Sequence, residues 1–92
     1  MKVTFRYTSQ LATAAGSSEE VVETENGSAL LGLLRDLSEK HGPDFAKFVV
    51  DGDGSAVPTL VVAVNGTQVS LEEPVSLEAG TEVMLITPMS GG

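Results

Sequence analysis

The residues most suited to chemistry are the last two of the sequence, Gly91 and Gly92. Glycine has no Cβ atom, so a Gly-Gly end is the thinnest and most pliable end that a peptide can present. Such an end fits a channel too narrow for side chains and can carry its carboxylate into another protein's active site. By itself, a Gly-Gly end is more often a frayed, solvated terminus. Here, however, no side chain from Val83 to Gly92 is charged, although 20% of all residues are, which favours a segment that a partner desolvates.

The carboxylate of this end is the reactive group that the sequence offers. A terminal carboxyl has an ordinary pKa of about 3.5, so it is ionised at neutral pH and is a poor electrophile. It therefore needs activation, and adenylation by ATP on a second protein is the usual biochemical route. Sulfur can then capture the acyl-adenylate to give a thiocarboxylate, or an amine can capture it to give an amide. Residues 86–92 span at most about 25 Å when extended, which is enough to reach a neighbour's active site.

Other motifs in the chain do not make a catalytic or metal site. Residues 51–55, Asp-Gly-Asp-Gly-Ser, resemble the start of a calcium loop, but Ala56 and Val62 stand where that loop needs glycine and glutamate. We interpret them as a solvated loop. His41 is the single histidine, and a lone histidine without cysteine or a paired carboxylate forms neither a triad nor a metal site. The glutamates of residues 19–25 can do acid/base work only beside a nucleophile or a pocket, and the sequence indicates neither. We therefore expect no catalytic residue, no metal site and no bound cofactor.

Composition restricts the class of protein. Ninety-two residues are enough for one domain with a single core. Thirteen acidic residues against five basic ones give a net charge of -8, which argues against binding to nucleic acid or to anionic membranes. The acidity either steers the chain toward a basic partner protein or only maintains solubility. The absence of cysteine excludes disulfides and thiolate sites. Because the sequence has no signal-peptide pattern and no long apolar run, we expect a cytoplasmic protein.

Alternation and spacing predict the elements of the first half. Apolar and polar side chains alternate in residues 2–8, which indicates a half-buried strand, and residues 19–24 are predicted to be an edge strand protected by glutamates. Ser9–Ala15 is either a helical turn or a loop. A main helix follows, with Ser28 as its N-cap, Gly42-Pro43 as its stop and a buried stripe of leucines at i, i+3, i+4, i+7 spacing. Pro43–Val49 is predicted to be a second, short helix. The leucines of the stripe are Leu30, Leu33, Leu34 and Leu37.

The sequence of the second half of the chain predicts a hairpin and a last strand. Residues 59–64, the turn Asn65-Gly66 and Thr67–Val69 are typical of two strands joined by a type I′ turn. Residues 82–87 form the last strand, and we expect it to lie beside the first strand near the centre of the sheet. The order of elements predicts a single α+β domain, residues 1–92, in which a sheet of four to five strands packs on one main helix. Residues from about 87 to 92 form its extended C-terminal tail.

Apolar residues on both faces of the hairpin and the last strand predict an interface. A single helix covers only one face of a small sheet, so the apolar residues that point away from it are expected to form an exposed patch, and such patches tend to be interfaces. The alternative is that Pro43–Val49 or the turn around Leu11 folds over them and buries them. The patch comprises Val61, Ala63, Met84 and Ile86.

Three stretches of the sequence resemble a known family. The residues Glu82-Val-Met-Leu-Ile-Thr-Pro88-Met-Ser-Gly91-Gly92, preceded by Leu77-Glu-Ala-Gly80-Thr and by Val62-Ala-Val-Asn65-Gly66, resemble the small sulfur-carrier subunit of molybdopterin synthase. The resemblance covers nearly the whole chain, and its specificity lies chiefly in the closing residues. It implies a ubiquitin-like β-grasp fold with a mixed sheet and a carrier that is not itself an enzyme.

The resemblance also implies a chemistry and partners. Gly92 would be adenylated by a ubiquitin-activating-enzyme-like adenylyltransferase, which uses ATP, and converted to a thiocarboxylate. It would then donate sulfur to precursor Z for molybdopterin synthesis while the tail lies in the large subunit of molybdopterin synthase. A sulfur carrier for thiamine or cysteine synthesis, or a ubiquitin-like protein modifier, remains an alternative. The tail-docking positions implied by the resemblance are Pro88, Met89, Ser90 and Gly91.

Overall fold

Five strands and three helices make up residues 1–87, the part of the chain that the structure, a computed structural model, describes. The prediction of a short helix over Pro43–Val49 is confirmed, and Ser9–Ala15 is a helix rather than a loop. In chain order the elements are β1 (Lys2–Tyr7), α1 (Ser9–Ala15), β2 (Glu19–Glu23), α2 (Leu30–His41), α3 (Pro43–Val49), β3 (Val61–Val64), β4 (Thr67–Val69) and β5 (Glu82–Ile86). The expected site residues Pro88, Met89, Ser90, Gly91 and Gly92 lie outside the described residues.

The sheet has the strand order β2-β1-β5-β3-β4, with β5 at its centre. β1 and β5 run parallel, so that Thr4 pairs with Glu82 and Tyr7 with Leu85, and the other neighbouring strands are antiparallel. The prediction that the first and last strands lie side by side is confirmed. A parallel pair needs a crossover connection, and here the crossover contains the helices α2 and α3. This mixed sheet packed on α2 is the β-grasp fold that the resemblance implied.

One face of the sheet packs on the helices. Phe5, Val83 and Leu85 of the central strands are fully buried, and the predicted leucine stripe of α2 is buried against the same core. Fully burying a side chain of this size contributes about 1.5–3 kcal/mol of transfer free energy. Leu11 of α1 and Phe45 of α3 belong to the same hydrophobic cluster, so all three helices cover this face. No helix within residues 1–87 is long and apolar enough to cross a membrane.

The start of α2 differs from the prediction. Its N-cap is Ala29 and not Ser28, and no side chain of the described residues caps it through a hydrogen bond. The Ser28 hydroxyl instead donates to the carbonyl oxygen of Glu25 at 2.6 Å and so closes the preceding turn. The first turn of a helix leaves its backbone amides without partners. The amide of Leu30 donates to the carbonyl oxygen of Val75 at 2.8 Å, so a segment distant in sequence satisfies this end of the helix.

The hairpin between β3 and β4 has the predicted turn. Asn65 and Gly66 have φ values of 49° and 84°, and a type I′ turn requires positive φ at both central residues. Val64 pairs with Thr67 on either side of the turn. The Asn65 side-chain oxygen Oδ1 also accepts a hydrogen bond from the backbone amide of Glu82 at 2.9 Å. The turn is therefore fixed to the start of β5 as well as to its own strands.

Candidate functional site

β5 leads directly to the tail, and its neighbours hold its end in place. The pairing with β1 continues to Leu85, and the pairing with β3 continues to Ile86. The Thr8 hydroxyl donates to the carbonyl oxygen of Leu85 at 3.2 Å. Side chains alternate along a strand, so Thr87 follows Leu85 onto the helix face, and it is only 5% exposed. Residues 85–87, which we name the tail root, therefore continue from the central strand of the sheet.

Four apolar side chains form a block on the other face of the sheet, beside the tail root. Val61 pairs directly with Ile86, and Ala63 pairs directly with Met84, which gives a two-by-two arrangement that we name the outer block. All four side chains are half-buried, and none of them belongs to the hydrophobic core cluster. The register thus places the predicted interface residues together on one face. Their role in binding a partner stays a prediction.

The short helices do not cover the outer block. Leu11, Phe45 and Val49 are fully buried in the core cluster that also contains Phe5 and Leu85. α1 and α3 therefore lie on the helix face, opposite the outer block. The alternative that Pro43–Val49 or the turn around Leu11 folds over these residues is wrong.

Charged side chains border the outer block on its β1 side. Arg6 pairs with Met84 across β1 and β5, and its guanidinium lies 3.5 Å from a carboxylate oxygen of Glu19 and 3.1 Å from one of Glu82. These three side chains are about half exposed, so each ion pair contributes only about 0–1 kcal/mol. Farther out, Val21 on β2 is 56% exposed. An apolar centre with a polar, solvated rim is the usual arrangement of a protein–protein interface.

A second group of polar side chains lies on the helix face, at the β2 edge of the sheet. Oε1 of Glu20 accepts a hydrogen bond from the Tyr7 hydroxyl at 2.7 Å and lies 2.7 Å from Nε2 of His41. An ionised carboxylate only accepts, so this His41 nitrogen donates. Oε2 of Glu20 accepts a hydrogen bond from Lys40. The rings of Tyr7 and His41 contact the ring of Phe45, with centroids 5.3 Å and 4.9 Å away. We name these residues the Glu20 cluster, and they join β2 to the end of α2.

The Glu20 cluster holds a charge and is poorly suited to proton transfer. Burial by itself raises the pKa of Glu20, but hydrogen bonds from Lys40, His41 and Tyr7 outweigh it and lower the pKa to about 2. Burial raises the pKa of the Tyr7 hydroxyl above its ordinary value, and the hydrogen bond to Glu20 adds to this shift. At neutral pH, Glu20 is therefore a weak base whose two oxygens are both occupied. The cluster serves as a structural link between β2 and α2.

Residues 51–55 form an exposed turn closed by its own hydrogen bonds. Oδ1 of Asp53 accepts a hydrogen bond from the backbone amide of Ser55 at 3.0 Å. This amide lowers the pKa of the Asp53 carboxyl. Arg35 donates from Nε to the carbonyl oxygen of Gly54 at 2.7 Å and ties the turn to α2. Within residues 1–87, no three His, Cys, Asp or Glu side chains are grouped closely enough to hold a metal ion.

Sequence reasoning missed the Glu20 cluster and the buried hydroxyl of Thr87. Pairing of β1 with β2 sets Glu20 opposite Phe5, which turns it toward the helices. Nothing in residues 19–25, a stretch rich in glutamate, distinguishes Glu20 from the glutamates that face solvent. For Thr87 a signal was present, because the alternation that buries Leu85 also predicts burial two residues later.

Comparison with known proteins assigns the chain to a family. The model of the ThiS family matches residues 5–92, nearly the whole chain. No curated protein sequence matches the chain significantly.

Solved structures share the fold with this chain. The crystal structure of SAMP1, a small archaeal modifier protein from Haloferax volcanii, has 28% sequence identity, a TM-score of 0.85 and coverage of 100% of both chains. A putative molybdopterin converting factor, subunit 1, from Pyrococcus furiosus has 29% identity, a TM-score of 0.70 and coverage of 96% of this chain and 98% of that one. A chain of the Amycolatopsis orientalis BexX/CysO complex has 22% identity and a TM-score of 0.69, with coverage of 98% and 99%. The last likeness concerns the fold alone.

Proposed function

The chain belongs to the ThiS family of ubiquitin-like sulfur carriers, and on this premise we propose that its C-terminal Gly92 is adenylated and converted to a thiocarboxylate. The observation that carries the proposal is the family match, which extends through Gly91 and Gly92. The β-grasp domain supplies a folded body, and its central strand leads through residues 85–87 to the tail. This arrangement suits a protein that is loaded and unloaded by others.

The proposed chemistry takes place on the carboxylate of Gly92. A carboxylate oxygen attacks the α-phosphorus of ATP, pyrophosphate leaves, and an acyl-adenylate forms. A hydrosulfide-equivalent nucleophile then attacks the carbonyl carbon, AMP leaves, and the thiocarboxylate remains. We propose that ATP is bound by the partner and that this chain holds no cofactor of its own. The carrier contributes its slim end, since a glycine at position 91 lets the carboxylate pass through a channel that excludes side chains.

The proposed partners are a ubiquitin-activating-enzyme-like adenylyltransferase and an acceptor enzyme, both in the cytoplasm. The outer block would contact the body of the partner, because it is apolar and half-buried and includes Ile86 of the tail root. The tail positions Pro88, Met89, Ser90 and Gly91 would then lie in the partner's channel. One rigid surface and one extended segment would thus bind together, which raises the effective concentration of the tail at the active site.

Mass spectrometry tests the loading step. The protein is incubated with the adenylyltransferase from the same organism, ATP and a sulfur donor, and the intact mass should rise by the difference between sulfur and oxygen. Gly92→Ala should lose most of this gain. Gly52→Ala is a matched control, because Gly52 lies in an exposed loop where an added Cβ meets nothing within 4 Å, and it should load normally. Absence of both adenylate and thiocarboxylate on the wild-type chain would refute the proposal.

For the sulfur acceptor, we propose molybdopterin synthesis. Support comes from the resemblance of the closing residues to the small subunit of molybdopterin synthase and from the 29% identity to the putative converting factor subunit. The thiocarboxylated chain is mixed with the large synthase subunit and precursor Z, and molybdopterin should appear only when Gly92 is loaded. Transfer of sulfur to a thiamine or cysteine precursor, with none to precursor Z, would contradict this assignment.

A second candidate function is protein modification. The observation that favours it is the likeness to SAMP1, a small archaeal modifier protein. In this case an amine captures the adenylate, and Gly92 becomes joined to lysines of other proteins. Peptide mapping of cellular proteins would reveal lysines that carry a remnant of this chain's end. Such conjugates that disappear with Gly92→Ala would establish the modifier function.

A further inference from the structure

Two threonines flank β5 and are equally buried, but their hydroxyl groups have opposite environments. Thr81 and Thr87 are each 5% exposed. The Thr81 hydroxyl donates to the carbonyl oxygen of Glu78 at 2.7 Å and accepts from the amide of Glu78 at 3.3 Å. The Thr87 hydroxyl is buried and has no hydrogen-bond partner in the part of the chain that the structure describes. Among residues 1–87 it is the single buried side-chain nitrogen or oxygen atom in this condition.

An unpartnered buried hydroxyl disfavours the conformation that contains it. The group gives up its hydrogen bonds to water and gains none in return, which disfavours that conformation roughly 5- to 100-fold relative to one in which the hydroxyl is satisfied. The Thr81 hydroxyl has no such effect, because both of its bonds are made within the turn at Glu78. The two ends of β5 therefore differ, because an unpartnered hydroxyl disfavours the observed position of Thr87 but not that of Thr81.

Thr87 is the one residue of the tail root that lies beyond the strand pairing. Thr87 lies one residue beyond the last pair of β5 with β3 and two beyond the last pair with β1, so displacing it breaks neither ladder. Thr81, in contrast, is held through its backbone, because its carbonyl oxygen accepts from the amide of Thr4 at 2.9 Å. Within residues 1–87, only the burial of its side chain is observed to retain Thr87.

We infer that Thr87 is a positioning residue of the tail: its hydroxyl lacks a partner while its side chain lies against the core, and it gains one when the adenylating enzyme draws Thr87 outward. The inference rests on the proposed function, since it takes that enzyme as the partner. Main-chain groups of the enzyme or water molecules then satisfy the hydroxyl. The free protein holds Thr87 in a conformation that the unpaired hydroxyl disfavours, so the enzyme displaces this residue more easily.

Thr87→Val tests the inference on the protein alone. Valine has nearly the shape of threonine but no hydroxyl, so the melting temperature should rise by about 4 °C or more. Amide hydrogen exchange at Thr87 should slow roughly 5- to 100-fold. Thr81→Val is the matched control and should lower the melting temperature, because it removes two hydrogen bonds. If Thr87→Val lowers the melting temperature or leaves this exchange unchanged, the hydroxyl has a partner in solution and the inference is wrong.

Steady-state adenylation tests the link to the partner. With the purified adenylyltransferase and ATP, Thr87→Val should raise KM for this chain by a similar factor and leave kcat unchanged, whereas Thr87→Ser, which keeps the hydroxyl, should behave as the wild type does. An unchanged KM in Thr87→Val, despite a higher melting temperature, would overturn the positioning role. If the wild-type chain is not adenylated at all, the proposed function fails, and the exchange comparison alone decides whether Thr87 favours release of the tail root.

Discussion

The two faces of the sheet are built differently. On the helix face, Phe5 and Leu85 are fully buried and both carboxylate oxygens of Glu20 accept hydrogen bonds. On the other face, the outer block is half-buried and its ion pairs are half-exposed. Stability should therefore come mainly from the helix face, which leaves the outer face free to bind partners. Neighbouring residues of β5 allow this difference to be measured, because Met84 and Leu85 belong to opposite faces.

The largest expected effect is on the helix face. Leu85→Ala should lower the free energy of unfolding by about 3–4 kcal/mol, because it removes a fully buried side chain and leaves a cavity. Met84→Ala, one residue earlier, should cost less than about 1 kcal/mol. Urea denaturation of both variants measures these values. Equal costs would show that the outer block contributes to the core after all.

A charge in the outer block should affect binding more than folding. Met84→Glu should weaken binding to the adenylyltransferase by about tenfold or more, because a carboxylate buried in an apolar contact is left unpaired. Its folding stability should change by less than about 1 kcal/mol. Gln68→Glu is the control, since Gln68 is exposed at the edge and pairs with Ala63 of the block. Titration calorimetry that found the same loss for both variants would indicate a general charge effect.

The Glu20 cluster should make the free energy of unfolding depend on pH. Glu20→Gln should lower the free energy of unfolding at neutral pH by about 1–2 kcal/mol, a figure reduced for partial exposure to solvent. The folded pKa of Glu20 is about 2, below its ordinary value of 4.5, so this stabilisation is present above about pH 4.5 and is lost as the pH falls toward 2. The wild type and the variant should therefore converge in acid. Glu39→Gln, at an exposed position of α2, should show no comparable loss in urea denaturation across this range.

The smallest effect is expected at the rim of the outer block. Arg6→Gln should cost at most about 0.5 kcal/mol, because its ion pairs with Glu19 and Glu82 are half-exposed. The difference from the wild type should vanish in about 1 M salt, where the screening length is short. Thermal unfolding at low and high salt measures it. A loss that persists in high salt would mean that Arg6 stabilises the sheet through packing.

Local sequence patterns predicted the elements whose causes are local. The leucine stripe of α2 and the Asn65-Gly66 turn depend on residues within a few positions of one another. The predicted ends of the strands were less accurate, because a strand extends only as far as its partner strand does. β3 begins at Val61, two residues later than predicted, and β5 ends at Ile86, one residue earlier.

The features that sequence reasoning did not predict depend on residues distant in the chain. Ser28 has the chemistry of an N-cap, but the carbonyl of Val75 reaches the start of α2 and replaces it. The partners of Glu20 come from β1 and from the end of α2. The proposed site at Gly92 stays a prediction, because residues 88–92 lie outside the described part of the chain.

The parallel pairing of β1 with β5 has a consequence for synthesis on the ribosome. β1 emerges first, but its central neighbour is the last strand of the described residues, so the middle of the sheet cannot close until almost all of them have been translated. A nascent chain that stops before Glu82 leaves Phe5 without its neighbour and remains open to proteolysis. A molecule with a closed sheet has therefore already been extended to the root of its tail.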